Sequence, residues 1–247
     1  MPILHLLGTG SAVTDPHRTT TMLAFANGVS TFVVDCGGDV VRRLQASGIN
    51  LDTIDALFVT HEHPDHVSGF PLFLEKIWLA GRTRPLHVYG ITRALDQARR
   101  CFAAFDTSSW DMPEILYHDV PYREGASVLE NDTFRVTASP GIHAVPVVGL
   151  RVESKQSGQV VTYSCDTEPA ESICRLARAS DILVHEANGP MRGHTSVEGA
   201  ARIAAEAQAR RLLLIHLPAG VTDQDLQGAR GVFPAVELGE ELGQYPF

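Results

Sequence analysis

The chain lacks the features that mark several protein classes. It has four cysteines, Cys36, Cys101, Cys165 and Cys174, with no CxxC pair and no framework spacing. That argues against a disulfide scaffold and for reduced, mostly buried thiols. No apolar run approaches the roughly 18 residues needed to cross a bilayer. Residues Met1 to Gly8 have neither a basic segment nor a cleavage site, so they read as a first strand and not as a signal peptide. The expected location is cytoplasmic, with no membrane partner. Basic residues are in deficit: 20 Lys and Arg stand against 29 Asp and Glu, a net charge of −9. A broadly basic nucleic-acid binder is thereby disfavoured. RNA stays open as a partner, because bound dications would offset the charge locally.

What is present suits a globular protein with a sizeable core. Hydrophobic residues make up 44% of the 247, and charged ones 20%. Strand-like and helix-like runs alternate, which argues for an α/β architecture. Met22–Ala26 and Thr31–Asp35 flank Asn27-Gly28, a hairpin turn signal. Val40 to Ser47 reads as a helix closed by Gly48. Phe70, Phe73, Leu74, Ile77 and Trp78 recur at helical spacing behind Pro71, a core-facing stripe. Strands are expected over Thr133–Ala138, Val147–Glu153, Val160–Ser164, Ile182–Val184 and Leu212–Ile215. Helices are expected over Ala170–Ala179 and Val197–Ala209. With no linker or repeat in view, residues 1–247 form one expected domain, and the pattern is compatible with two similar β-then-α halves.

The segment His61-Glu62-His63-Pro64-Asp65-His66 follows the apolar run Ala56–Thr60. Neutral imidazole nitrogen and carboxylate oxygen are the ligands that borderline divalent metals take. Three further candidates stand where apolar strands run out: His143, Asp166 and His216. Singly, each has a plain structural explanation, such as a helix cap for an Asp before a Thr. Together with His61, His63, Asp65 and His66 they make seven ligands, which suits two adjacent metals sharing one carboxylate. Zn²⁺ fits this N/O set best, with Mn²⁺ or Fe close behind.

The order HxHxDH, then His, Asp and His, resembles the metallo-β-lactamase superfamily. The resemblance implies a four-layer αβ/βα sandwich with metals at one edge. It implies that His61, His63 and His143 hold one metal, that Asp65, His66 and His216 hold the other, and that Asp166 bridges them. It also gives Asp35 a supporting place beside the metal shell, against the alternative of a simple turn residue before Cys36-Gly37-Gly38. His185-Glu186-Ala187-Asn188 and Gly193-His194-Thr195-Ser196 resemble paired motifs of ribonuclease Z and related phosphodiesterases. Glu186 is then expected to bond His194, orient it and raise its pKa, with His185 on the opposite face as a structural residue. Thr195-Ser196-Val197-Glu198 reads as a capping box with Thr195 as N-cap.

One feature of ribonuclease Z is missing. Only 23 positions separate His143 from Asp166, room for one hairpin and not for the long arm that grips tRNA in that family. The expected activity is therefore dinuclear phosphodiester hydrolysis through a metal-bridging hydroxide. Asp65 orients or deprotonates the nucleophile, and His194, held by Glu186, serves the leaving oxygen. The partner is a small or nucleotide-like phosphodiester. The alternatives are RNA 3′-end cleavage and hydrolysis of a lactone or sulfate ester. A homodimer is compatible with the sequence. His17, Arg18 and Thr19-Thr20-Thr21 read as an exposed loop, Trp78 and Trp110 as core, and His5, His87 and His118 as strand residues without ligand-like partners.

Overall fold

A computed structural model describes residues 1–247. The first half of the chain supplies β1 (Ile3–Gly8), β2 (Met22–Ala26), β3 (Thr31–Val34), α1 (Val40–Ala46), β4 (Ile54–Val59), α2 (Pro64–Val67), α3 (Phe70–Leu79), β5 (Leu86–Gly90), α4 (Thr92–Ala103) and β6 (Ile115–Asp119). The second half supplies β7 (Ala126–Glu130), β8 (Phe134–Pro140), β9 (Val148–Ser154), β10 (Val160–Tyr163), α5 (Glu171–Leu176), β11 (Ile182–Glu186), α6 (Val197–Glu206), β12 (Leu212–Ile215), α7 (Gln227–Val232) and β13 (Val236–Leu238). A last strand, β14 (Gln244–Pro246), returns to pair antiparallel with β1.

These strands make two seven-stranded sheets, ordered β14-β1-β2-β3-β4-β5-β6 and β13-β12-β11-β10-β9-β8-β7. Each begins with antiparallel hairpins and ends in a parallel run, β3 to β6 and β10 to β13. Central strands such as β4 and β12 are apolar and buried on both faces, as parallel strands covered by helices must be. Helices α1 and α4 pack on the first sheet with α3 against both of them, and α5 and α6 pack on the second. The result is the expected α/β sandwich of four layers.

The main core lies between the sheets. Phe134 of β8 stacks on Phe247 at 6.4 Å, and Phe247 meets Phe25 of β2 edge-on at 5.9 Å. Truncating a ring such as Phe134 costs about 3–5 kcal/mol in a core of this kind. A second cluster packs Leu183, Leu212 and Leu214 against Ala200, Ala201 and Ala204 of α6. The Trp78 stripe forms α3, but Trp78 is only part-buried and stacks on Trp110 at 4.8 Å. No helix is long and apolar enough to cross a membrane.

One local expectation is corrected. The N-cap of α6 is Ser196, whose side chain accepts the Gly199 N–H, and not Thr195. The Thr195 hydroxyl instead donates to the Thr167 carbonyl at 2.6 Å, so a tertiary contact removes it from capping. His87 and His118 are strand residues as expected, and paired strands β5 and β6 bring His87 Nδ1 to 2.8 Å from His118 Nε2.

The carboxyl ends of β3, β4, β10, β11 and β12 lie at one edge, where Gly10 bridges to both Thr20 and Leu217 and ties the sheets together. The residues that leave β3, β10 and β12 turn sharply there. Asp35, Cys165 and His216 have φ of 61°, 54° and 52°. Non-glycine residues in that region cost about 1–3 kcal/mol each, and such strain gathers at functional sites.

Candidate metal centre and active site

The turn after β4 carries the first four candidate ligands. His61 and His63 leave the strand, and Pro64 starts the single-turn helix α2, which presents Asp65 and His66. The loop Asp35–Gly38 lies directly against this turn: the Cys36 N–H donates to the His66 carbonyl at 2.8 Å. A Cβ on Gly37 would stand 1.7 Å from the Asp65 carbonyl oxygen, so only glycine fits.

The structure brings all seven candidates to one place. His61, His63 and His143 offer nitrogens within 4.8 Å of one another, and Asp65, His66, Asp166 and His216 form a second such group. Asp166 Oδ2 faces both. It lies 3.2 Å from His216 Nε2, 3.5 Å from His66 Nε2, and 4.0 Å from Nε2 of both His61 and His143. Asp65 Oδ2 is 3.5 Å from His66 Nε2.

The outer nitrogens are already committed. His66 Nδ1–H donates to Asp35 Oδ2 at 2.8 Å, His143 Nδ1–H to the Gly193 carbonyl at 2.7 Å, and His216 Nδ1–H to Thr21 Oγ1 at 3.2 Å. The Thr21 hydroxyl in turn donates to the Gly10 carbonyl at 3.0 Å. Each donation leaves the Nε2 lone pair directed inward, the tautomer a metal requires. His61 Nε2, His66 Nε2 and Asp166 Oδ1 are buried without a protein partner. Buried polar atoms left unpaired are costly, and a cation is what this donor set fits. Burial also pushes His61 and His143 down from their ordinary value, and His216 down to about 4, which favours neutral imidazole. For Asp166, burial opposes ionisation, but His216 and His66 outweigh it and hold the carboxyl well below the usual range.

Asp35 is more than a turn residue. It is fully buried and accepts the Thr60 N–H at 2.8 Å and the Thr60 hydroxyl as well as His66. Cys165 packs inward with Sγ 3.6 Å from His61 Nδ1.

A second unit stands beside the cluster. Glu186 Oε1 accepts His194 Nδ1–H at 3.0 Å, along with the N–H groups of Thr167 and Thr195, and Oε2 accepts the Asn188 N–H. Burial pushes Glu186 up to about 7, against the bond from His194. For His194, burial lowers, but the Glu186 contact prevails and raises it above the ordinary imidazole value. The ring of His194 stacks on His216 at 5.6 Å and meets His143 at 5.1 Å. His185 points away, its Nδ1–H bonded to the Glu186 carbonyl.

Sequence reading missed the supports. Thr21 is buried and positions His216, although it belongs to a run that reads as an exposed loop. Arg18 bonds Thr9 and the Gly239 carbonyl. Glu168 holds the Gly193 N–H at 2.9 Å. Only the adjacency of Thr60 to His61 and of Glu168 to Asp166 hinted at such roles.

A model of the Beta-lactamase superfamily domain matches residues 30–217, and the chain belongs to the metallo-β-lactamase superfamily. Within it the chain is ribonuclease Z-like. It is 31% identical to a ribonuclease Z of Mycolicibacterium paratuberculosis, over 96% of this chain and 95% of that one. It is 29% identical to a ribonuclease Z of Methanothermobacter thermautotrophicus, over 96% and 94%. That last alignment runs over 292 positions, more than this chain's 247 residues, so the relative carries segments with no counterpart here. Solved structures share the fold. YhfI from Bacillus subtilis has a TM-score of 0.82 at 23% identity, covering 99% of this chain and 98% of that one. The short form of human tRNase Z has 0.80 at 24%, covering both chains fully, and a diphosphatase of the PhnP family has 0.75 at 19%, covering 100% and 98%. The chain is a metal-dependent hydrolase by family, and divalent metal is the cofactor that family and site imply.

Proposed function

We propose that the chain is a dinuclear phosphodiesterase. His61, His63 and His143 would hold one ion and Asp65, His66 and His216 the other, with Asp166 placed to serve both. The observation that carries this reading is Asp166 Oδ2 facing four imidazole Nε2 atoms at 3.2–4.0 Å. Two ions bound there would supply an activated water and neutralise phosphoryl charge; Zn²⁺ suits the donors best.

The remaining work falls to side chains. Asp65 has an oxygen available to orient the nucleophile or take its proton. His194, held by Glu186, faces the same centre, and the contact with that carboxylate raises its pKa above the ordinary imidazole value. It stabilises the phosphoryl oxyanion and protonates the leaving oxygen. Ribonuclease Z relatives support a second reading, cleavage at RNA 3′ ends. Net charge and the single hairpin, β9 to β10, between His143 and Asp166 favour a smaller substrate.

Metal analysis of the purified chain, followed by assay on bis(p-nitrophenyl) phosphate, lactone and sulfate esters and a precursor tRNA, tests this. Two ions per chain and preferred hydrolysis of the diester are expected. One ion or none, or a faster lactone or sulfate reaction, overturns it.

A further inference from the structure

The loop between Glu186 and α6 does more than deliver His194. Beyond that imidazole lies a pocket of about 340 Å³, lined among others by Glu168, Met191, Arg192, His194, Ser196 and Arg202. Arg192 and Arg202 are exposed there, and neither guanidinium has an ion pair or hydrogen bond within the protein, unlike nearby Arg175, which grips Glu124 and Glu171. Glu168 is the one carboxylate in the lining, and its Oε1 is occupied by the Gly193 N–H.

Arg192 is not on a loose loop. The His194 N–H closes a turn on the Met191 carbonyl at 3.0 Å, and the Gly189 N–H bonds the Thr195 carbonyl at 3.1 Å. Gly193, next in the chain, is fastened to His143 through its carbonyl and to Glu168 through its N–H. The backbone of Arg192 is therefore fixed relative to the imidazoles on either side of it. Arg202 rises from the second turn of α6, whose start is fixed by the Thr195 N–H on Glu186.

We propose that this pocket is an anion subsite that binds a second phosphate of the substrate, on the leaving-group side of the scissile diester. The inference rests on the phosphodiesterase reading, because His194 marks that side. Two planar guanidinium forks beside the His194 imidazole match a phosphate in geometry and charge. The substrate class narrows to diesters whose leaving group carries another phosphate, as short oligonucleotides do. Simple diesters leave the pocket unused.

The test compares the dithymidine diester TpT with its forms phosphorylated at either end, and uses bis(p-nitrophenyl) phosphate as a substrate without a second anion. One terminal phosphate is expected to lower KM by about tenfold, the worth of one charge-assisted contact. Arg192→Gln and Arg202→Gln should each remove most of that preference, whereas Arg100→Gln on α4 should keep it. Calorimetric binding of the terminally phosphorylated methylphosphonate analogue, which is not hydrolysed, should weaken in the same two variants. Equal kcat/KM with and without the terminal phosphate, or a preference that survives both substitutions, overturns the subsite while bis(p-nitrophenyl) phosphate is still cleaved. Failure to cleave any diester overturns the parent reading with it.

Discussion

His143 donates its Nδ1–H to the carbonyl of Gly193 at 2.7 Å, 50 residues further along the chain. A candidate metal ligand is thereby joined to the loop that carries His194. Gly193 has φ of +85°, and a Cβ there would stand 2.7 Å from His143 Nδ1. Gly193→Ala is expected to displace that ring and weaken metal binding about 10- to 100-fold, as loss of an outer partner does. Chelator competition measures it; unchanged affinity would show that the contact does not position the ring.

Asp35 is expected to matter for the other group of ligands. Asp35→Asn retains a residue tolerant of positive φ but removes the charge that faces His66. Metal bound at Asp65, His66 and His216 should be lost first on dialysis, with affinity down about 10- to 100-fold. Two ions retained per chain after dialysis against chelator would count against the role.

His194→Ala should leave metal content intact and lower kcat about 10²- to 10⁴-fold, the range for a general acid. Unchanged kcat on a phosphodiester would remove it from the mechanism.

Glu186→Gln should move a pH profile as well as a rate. The carboxylate raises the pKa of His194, so the acid form persists to higher pH in the native protein. Without the charge, the descending basic limb of kcat should shift toward acid. A limb that stays in place would assign it to another group.

Two buried histidines outside the centre set an acid limit on stability. Burial lowers both His5 and His185 from 6.5 to about 4. The unfolded chain takes up these protons below pH 6.5 and the folded one does not. Stability is therefore full above 6.5 and falls as pH drops toward 4, by about 1.4 kcal/mol per pH unit for each group. Urea unfolding in chelator at pH 7 and pH 5 should show a smaller loss for His5→Leu than for the native chain. An equal loss would place the acid sensitivity elsewhere.

Much of this was legible in the chain. Strand β2 and strand β12 coincide with their apolar runs, because a residue that must be buried on both faces leaves an unbroken apolar signature. The HxHxDH segment was legible because one turn of backbone supplies four of the candidate ligands, and Glu186 beside His194 because their motifs are paired. Thr21 was not, since a threonine carries no mark of which side chain it will meet. The cap of α6 is not legible in the sequence, because Thr195 has two acceptable uses and the nearby Thr167 carbonyl decides between them. His87 and His118 likewise met only through the register of β5 on β6.

The amino-acid order by itself determined the donor inventory, the alternation that builds two sheets, and the absence of room for an arm between His143 and Asp166. Only the tertiary structure decided that five strand ends share an edge, which ring nitrogens face inward, and that Arg192 and Arg202 line one pocket. Composition and spacing act along the chain, whereas convergence depends on sheet packing and on hydrogen bonds between residues far apart in it.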